Sequence, residues 1–164
     1  MSGAARSLII VRHAKAAHPP GMADRDRPLT ARGEAEARLA GELLTEALSA
    51  TPTVLVSPAM RTRQTWELLS GASADMVPAT YDHRIYSAGW TELLRVLREV
   101  PAAARQVILV GHNPGCAELV AELTDEPPAS FPTAGVARIA VAQPWSDLSS
   151  GHLIGFTVPR VQPD

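Results

Sequence analysis

Three short apolar runs, each followed by a helical pattern, constrain the fold of this chain more than any other feature. The runs are SLIIV at 7–11, TVLV at 53–56 and QVILV at 106–110. Unbroken runs rich in β-branched residues are typical of strands buried on both faces of a parallel sheet. Two later runs, at 136–142 and 152–158, flank a turn rich in Pro, Ser and Gly and are expected to form an antiparallel edge. The pattern predicts a three-layer α/β/α domain with a mostly parallel sheet.

Helix boundaries can be placed between these strands. The first helix begins after Thr30, a favourable N-cap, and the second ends at Gly71, a favourable C-cap. A third helix opens with Ser87 and ends before Pro101, and a fourth follows Pro114. Apolar spacing in the first helix predicts a buried stripe along Ala35, Leu39, Leu43 and Leu44.

Length and charge limit the architecture and the partners. A chain of 164 residues with 46% hydrophobic content suits a single domain over residues 1–164, with its core at about 7–158. We expect this domain to be a monomer. The formal net charge is −2, with 15 basic against 17 acidic residues. This balance gives no general attraction to nucleic acid or anionic membranes, so we expect neither partner and only a local anion site.

The cysteine content and the N-terminal segment predict a cytoplasmic protein. Cys116 is the only cysteine, which excludes an internal disulfide and fits a reducing compartment. The first apolar run holds only four residues before Arg12. A signal-peptide core or a membrane span requires a much longer run.

The candidate functional residues follow the ends of the three predicted parallel strands. Arg12 and His13 follow the first strand, Ser57 and Arg61 the second, and His112 the third. Ligands of open α/β sheets bind beyond the carboxyl ends of the strands, so these side chains should converge on one rim. Guanidinium groups, imidazoles and a helix N-terminus together are poorly suited to bind a metal ion but well suited to bind phosphate. We therefore expect a phosphate site that holds no metal.

Other phosphate-handling and metal motifs do not fit. A thiol phosphatase needs an arginine six residues after its cysteine, but Glu122 stands at that distance from Cys116. The only lysine, Lys15, lies in HAKAA and not in a P-loop. Taken alone, Arg61 could be a solvated helix charge and His112 could cap a strand. Because Arg61 and His112 follow the second and third strands just as Arg12 and His13 follow the first, a shared site is favoured.

Four segments in this order resemble the histidine phosphatase superfamily, whose fold is shared with phosphoglycerate mutases. They are LIIVRHAKA, RPLTARGEAEA, VLVSPAMRTRQTWELL and VILVGHNPG, within residues 7–123. The short chain and the RPLT segment look most like the SixA-type phosphohistidine phosphatase branch. The resemblance implies that His13 is the nucleophile and that Arg12, Arg61 and His112 hold the phosphate.

The resemblance also implies that Arg27, in RPLT, contacts the phosphate. From the residues alone, the arginines of ADRDRPLTARG are explained most simply as part of a polar loop leading to a helix, so the role of Arg27 rests on the resemblance. The chain departs from the family in carrying Ala14 where a glycine is usual, which its backbone tolerates unless φ is positive there. A second departure is the proton donor, for which Asp82 and Glu92 are candidates without a clear match.

These observations predict a metal-independent and cofactor-independent phosphatase that forms a phosphohistidine intermediate. An alkoxide leaving group needs a positioned acid, whereas a protonated imidazole leaves readily, so the unassigned acid favours phosphohistidine in proteins as substrate. The segment from Thr65 to His112 is too short to hold a cap domain, which favours an open site and a phosphorylated protein partner. The alternatives are a phosphatase of small phosphomonoesters and a noncatalytic phosphate-binding module.

Overall fold

The sheet has six strands. The structure is a computed structural model that describes residues 5–48, 50–71 and 78–161. The strands are β1 (Arg6–Arg12), β2 (Thr53–Val56), β3 (Thr80–Tyr81), β4 (Gln106–Gly111), β5 (Val136–Val141) and β6 (His152–Thr157). They lie in the order β3-β2-β4-β1-β5-β6 within one sheet.

The pairing of the strands confirms the predicted mixed sheet. β1, β2, β3 and β4 pair in parallel, while β5 pairs antiparallel with β1 and β6 pairs antiparallel with β5. The three long parallel strands match the three apolar runs. Sequence reasoning missed β3, because a strand of two exposed residues has no hydrophobic pattern to reveal it.

Four helices cover both faces of the sheet, as the three-layer prediction requires. They are α1 (Ala31–Ala47), α2 (Met60–Ser70), α3 (Trp90–Arg98) and α4 (Gly115–Leu123). On β1, Leu8 and Ile10 pack with α3 and α4, whereas Ile9 and Val11 pack with α1 and α2. This alternation buries both faces of the strand, which explains its unbroken apolar sequence. No helix within the described residues is long and apolar enough to cross a bilayer.

Helix ends agree with the sequence at most boundaries. The Thr30 side chain caps α1 by accepting a hydrogen bond from the Gly33 N–H, at 3.0 Å, and Gly71 is the C-cap of α2. The predicted start of α3 is wrong. Ser87 has a φ of 57°, outside the helical region, and α3 begins at Trp90 after Gly89 as N-cap.

The predicted apolar stripe of α1 is also largely wrong. Of its four members only Leu44 is buried, and Leu43 is 39% exposed. The buried face consists mostly of small residues: Gly33, Ala37, Ala40 and Gly41, with Glu36 and Leu44. A Cβ on Gly33 would collide with the carbonyl oxygen of Lys15, in the loop that follows β1. Small residues are therefore selected here because α1 approaches this backbone closely.

This close approach predicts that Gly33→Ala destabilises the protein. Alanine is favoured over glycine inside a helix by about 1 kcal/mol, but the overpacked methyl group should lower the free energy of unfolding by about 1–3 kcal/mol. Urea unfolding measures the change. Gly71→Ala is the control, because its new Cβ would meet the Glu67 carbonyl oxygen at an ordinary 3.5 Å. Stability of Gly33→Ala equal to or above that of the wild type would contradict the prediction.

Candidate active site

Two histidines lie together where the central strands end. Arg12, the last residue of β1, pairs with Gly111, the last residue of β4. The His13 N–H donates to the Gly111 carbonyl at 3.0 Å, and the rings of His13 and His112 are 5.3 Å apart between centroids. α1 and α4 leave these strand ends toward opposite faces of the sheet. The histidines therefore lie at the switch in strand order, where open α/β sheets bind ligands.

The hydrogen bond of His13 determines which ring nitrogen carries its proton. Nδ1 lies 2.7 Å from the carbonyl oxygen of Ala14. A carbonyl oxygen can only accept, so Nδ1 carries the hydrogen and Nε2 holds the lone pair of the neutral ring. Nε2 makes no hydrogen bond within the described part of the chain. His13 therefore presents a free nucleophilic nitrogen.

Ala14 fits the backbone of the site. Its φ is not among the positive values of the chain, so the methyl group causes no backbone strain. Its N–H donates to the Thr65 hydroxyl at 3.0 Å, and that hydroxyl donates to the Arg61 carbonyl at 2.7 Å. Thr65 of α2 thus fixes the residue that orients His13.

Ser57 and His112 form a buried pair. Ser57 Oγ and His112 Nε2 are 2.8 Å apart, and His112 Nδ1 is buried without a partner. The Ser57 oxygen accepts from the Ala59 N–H at 3.4 Å, and His112 is the one acceptor in reach of its hydroxyl among the described residues. If Ser57 donates a hydrogen bond to Nε2, only the Nδ1–H of His112 lacks a partner. If the hydrogen is on Nε2 instead, the Ser57 hydroxyl hydrogen and the Nδ1 lone pair both lack a partner. The pair therefore favours hydrogen on Nδ1 of His112.

Both histidines are neutral at neutral pH. Burial lowers the pKa of His13 to about 4, and the nearby guanidinium groups of Arg61, Arg12 and Arg27 lower it further against the raising effect of the Ala14 carbonyl. Burial likewise lowers the pKa of His112 to about 3, with His13 and Arg61 adding to the effect. The positive charge of the site therefore comes from its arginines alone.

Arg12 points its guanidinium group along the loop before β5. Its Nη1 donates to the Phe131 carbonyl at 3.0 Å, and Asn113 Nδ2 donates to the same oxygen at 2.9 Å. Its Nε is buried without a partner. Burial lowers the pKa of Arg12, although not enough to discharge a guanidinium. Arg12 thus keeps an unpaired donor beside His13.

Arg27 is fixed from two sides. Its Nε donates to the Ala17 carbonyl at 2.9 Å, and its Nη2 lies 2.9 Å from His18 Nε2. The next turn of chain is tied to α2, since the Leu29 N–H donates to Gln64 Oε1 at 2.8 Å. These bonds explain how a loop arginine reaches a site built on strand ends.

Asp24, like Tyr86, is a site residue that sequence reasoning missed. Its carboxylate accepts from Arg61 at 3.0 Å, from Arg27 at 2.9 Å and from the Tyr86 hydroxyl at 2.6 Å. Tyr86 also lies edge-on to His112, with 5.7 Å between ring centroids. The hydrogen bonds from Tyr86, Arg27 and Arg61 hold the pKa of Asp24 well below its usual range. Its position three residues before Arg27 was the only sequence signal.

The two carboxylates considered as proton donors have other partners. Asp82 pairs with Arg84 at 2.8 Å and caps the short turn His83–Ile85, and these hydrogen bonds lower its pKa. Glu92 lies in the first turn of α3, 3.5 Å from Arg95. Neither forms a hydrogen bond or ion pair with the site histidines or arginines in the described residues. The structure also places no group of three or more potential metal-binding His, Cys, Asp or Glu side chains together in these residues.

The low pKa of His13 predicts that its ring does not titrate near neutrality. Its side-chain NMR signals should stay constant from about pH 8 to about pH 5.5, because protonation would bury a charge among cations. The same ring in urea-unfolded protein should titrate at about pH 6.5. The variant His13→Asn identifies the resonance of His13. A midpoint at about pH 6.5 in the folded protein would contradict the burial argument.

The Ser57–His112 pair predicts the tautomer of His112. Nitrogen-15 NMR of the wild type should show hydrogen on Nδ1, and Ser57→Ala should shift the population toward Nε2–H because the Ser57 donor is lost. Ser70→Ala removes an exposed hydroxyl that donates to the Glu67 carbonyl, and it should leave the His112 signals unchanged. Hydrogen on Nε2 in the wild type would refute the assignment.

Comparison with known proteins identifies the family of this chain. The sequence model of the histidine phosphatase superfamily (branch 1) matches residues 8–93, a little over half of the chain. Uncharacterized protein Rv1276c of Mycobacterium tuberculosis (strain ATCC 25618 / H37Rv) is 40% identical over 162 residues, covering 92% of this chain and 100% of that protein.

Solved structures extend the match to the whole fold. A protein from Nakamurella multipartitia, provisionally assigned as phosphohistidine phosphatase SixA, aligns with a TM-score of 0.85 at 32% identity, over 97% of this chain and 99% of that one. The protein histidine phosphatase SixA complexed with tungstate aligns with a TM-score of 0.77 at 27% identity, over 93% and 97% of the two chains. A Plasmodium falciparum phosphoglycerate mutase, at 16% identity, a TM-score of 0.66 and 98% and 96% coverage, shares the fold alone. The chain belongs to the histidine phosphatase superfamily, with the α/β fold of phosphoglycerate mutases.

Proposed function

We propose that this protein is a metal-independent phosphatase that removes the phosphoryl group from phosphohistidine in proteins. The observation that carries the proposal is the state of His13. Its Nδ1–H is held by the Ala14 carbonyl, its Nε2 lone pair is free, and cationic guanidinium groups surround it. A neutral nucleophile among fixed cations suits attack on a phosphoryl group.

In the first step, His13 Nε2 attacks the phosphorus. A P–N bond to His13 forms while the P–N bond to the substrate imidazole breaks, and the protonated substrate ring leaves as neutral imidazole. Arg12, Arg27, Arg61 and His112 would hold the three equatorial oxygens. Donors placed around the transferring group stabilise the charge that develops on it.

In the second step, water attacks the phosphorus of phospho-His13. The P–N bond to His13 breaks, inorganic phosphate leaves and the neutral imidazole is regenerated. The Ala14 carbonyl keeps Nδ1–H in place throughout, so the ring returns to the same tautomer for the next cycle.

The state of the carboxylates favours a P–N substrate over a phosphate ester. Asp24 and Asp82 are bound to arginines that lower their pKa, so as placed here neither holds a proton at neutral pH. Loss of a positioned general acid costs about 10²- to 10⁴-fold in rate for a poor leaving group. A protonated imidazole avoids most of this cost.

The comparisons support the same proposal. The two SixA structures described above align at more than 25% identity, and one of them is complexed with tungstate, an oxyanion of tetrahedral shape. Binding of such an anion by that protein supports the phosphate role proposed here for Arg12, Arg27 and Arg61.

The proposal predicts a trappable phosphoenzyme on His13. The wild type, given a phosphohistidine-bearing protein, should hydrolyse it and form a phosphoenzyme that is stable in alkali and labile in acid. His13→Ala should abolish the phosphoenzyme and reduce turnover by more than about 1000-fold. His152→Ala is the control, because His152 is an exposed histidine at the start of β6, and it should retain both.

Two further substrates separate the alternative functions. An aryl phosphate reports general phosphatase chemistry, and a sugar phosphate tests the need for a general acid. Faster hydrolysis of the sugar phosphate than of phosphohistidine would replace the proposal with a phosphatase of small phosphomonoesters. Phosphate binding without turnover of any of the three would indicate a noncatalytic module.

A further inference from the structure

Asp24 binds the guanidinium groups that the proposed function assigns to phosphate. Both terminal nitrogens of Arg61 donate to it, Nη1 to its backbone carbonyl at 2.8 Å and Nη2 to its carboxylate at 3.0 Å. Arg27 Nη1 donates to the other carboxylate oxygen at 2.9 Å, and the Tyr86 hydroxyl adds a third side-chain donor. The site arginines therefore already hold an anion supplied by the chain itself.

A carboxylate and a phosphate can accept hydrogen bonds from the same guanidinium groups. Both present oxygens that accept the parallel N–H groups of a guanidinium fork. Arg61 is only 7% exposed, and a buried cation requires an acceptor in any state of the protein. A phosphate that uses the N–H groups now bound to Asp24 must therefore displace its carboxylate from them.

The segment around Asp24 can move without opening the core. The turn Asp24–Asp26 contains no buried residue, and the Asp24 side chain is 53% exposed. Arg27 stays anchored through its bond to the Ala17 carbonyl, which does not involve Asp24. Release of Asp24 thus breaks polar contacts alone and leaves the Arg27 donors close to their positions.

We propose that Asp24 is a specificity-determining residue that competes with phosphate for Arg27 and Arg61. A free phosphate ion must displace the carboxylate with its own contacts alone. A phosphoryl group on a protein brings additional contacts outside the pocket, and their binding energy offsets the displacement. This selectivity rests on the proposed function, since it assumes that phosphate binds between these arginines.

Competition of this kind weakens the apparent affinity for free phosphate. The apparent affinity for phosphate equals the intrinsic affinity multiplied by the fraction of molecules in which the arginines are released from Asp24. If that fraction is about a tenth or less, removal of the carboxylate charge should tighten phosphate binding by about tenfold or more. A carboxylate that only positions the arginines would give the opposite sign.

The test compares Asp24→Asn with Asp26→Asn. Asp26 is exposed in the same turn, and its side chain forms no hydrogen bond with the described residues. Both variants remove one negative charge near the site, so general electrostatics act on both. Thermal unfolding is followed over a range of inorganic phosphate concentrations at constant ionic strength, and the rise in Tm gives the apparent Kd. We expect Asp24→Asn to bind phosphate about tenfold more tightly, and Asp26→Asn to change the Kd by less than about twofold.

The outcomes distinguish this inference from the proposed function. Phosphate binding by Asp24→Asn that is equal to or weaker than in the wild type would overturn the competition and make Asp24 a positioning residue. An equal gain in Asp26→Asn would overturn it too, by assigning the effect to net charge. Arg61→Ala should abolish phosphate binding; if it does not, the phosphate site, the proposed function and the competition all fail together.

Discussion

The parallel pairing of β1 with β4 is the interaction on which the rest of the site depends. These strands lie at the centre of the sheet and end in register, Arg12 opposite Gly111. The bond from the His13 N–H to the Gly111 carbonyl continues the ladder one step beyond both strands. The two imidazoles thereby lie together in a crevice at the strand ends. The backbone groups beneath them already form hydrogen bonds with each other.

Burial at this crevice determines its charge. An imidazole this deeply buried beside guanidinium groups does not protonate at neutral pH, so His13 and His112 contribute nitrogen lone pairs and N–H donors and no charge. The cations are then arginines, which keep their charge despite burial. Arg61 is enclosed enough to need an acceptor at all times, and the acceptor within the chain is Asp24.

Five of the six strands and most of the candidate site could be predicted from the sequence because both follow from local patterns. Apolar runs mark these five strands, His13 and His112 directly follow β1 and β4, and Arg61 lies in the first turn of α2, just after β2. Asp24 and Tyr86 could not be predicted, since they lie in irregular segments 62 positions apart and meet only through the fold. The buried face of α1 was predicted wrongly for a related reason: a close approach to the loop after β1 selects small residues, and apolar spacing carries no signal for it.

The ion pairs of Asp24 connect two properties of the proposed enzyme that would otherwise be independent. A carboxylate that binds Arg27 and Arg61 holds no proton at neutral pH, so Asp24 enters the reaction without a proton to give to an alkoxide leaving group. Under the proposed competition, the same carboxylate occupies donors that free phosphate needs, so small anions would bind poorly. Both effects act against small phosphate esters and favour a phosphoryl group that has a good leaving group and is attached to a larger partner. Phosphohistidine in a protein meets both conditions, and a single residue would then impose them together.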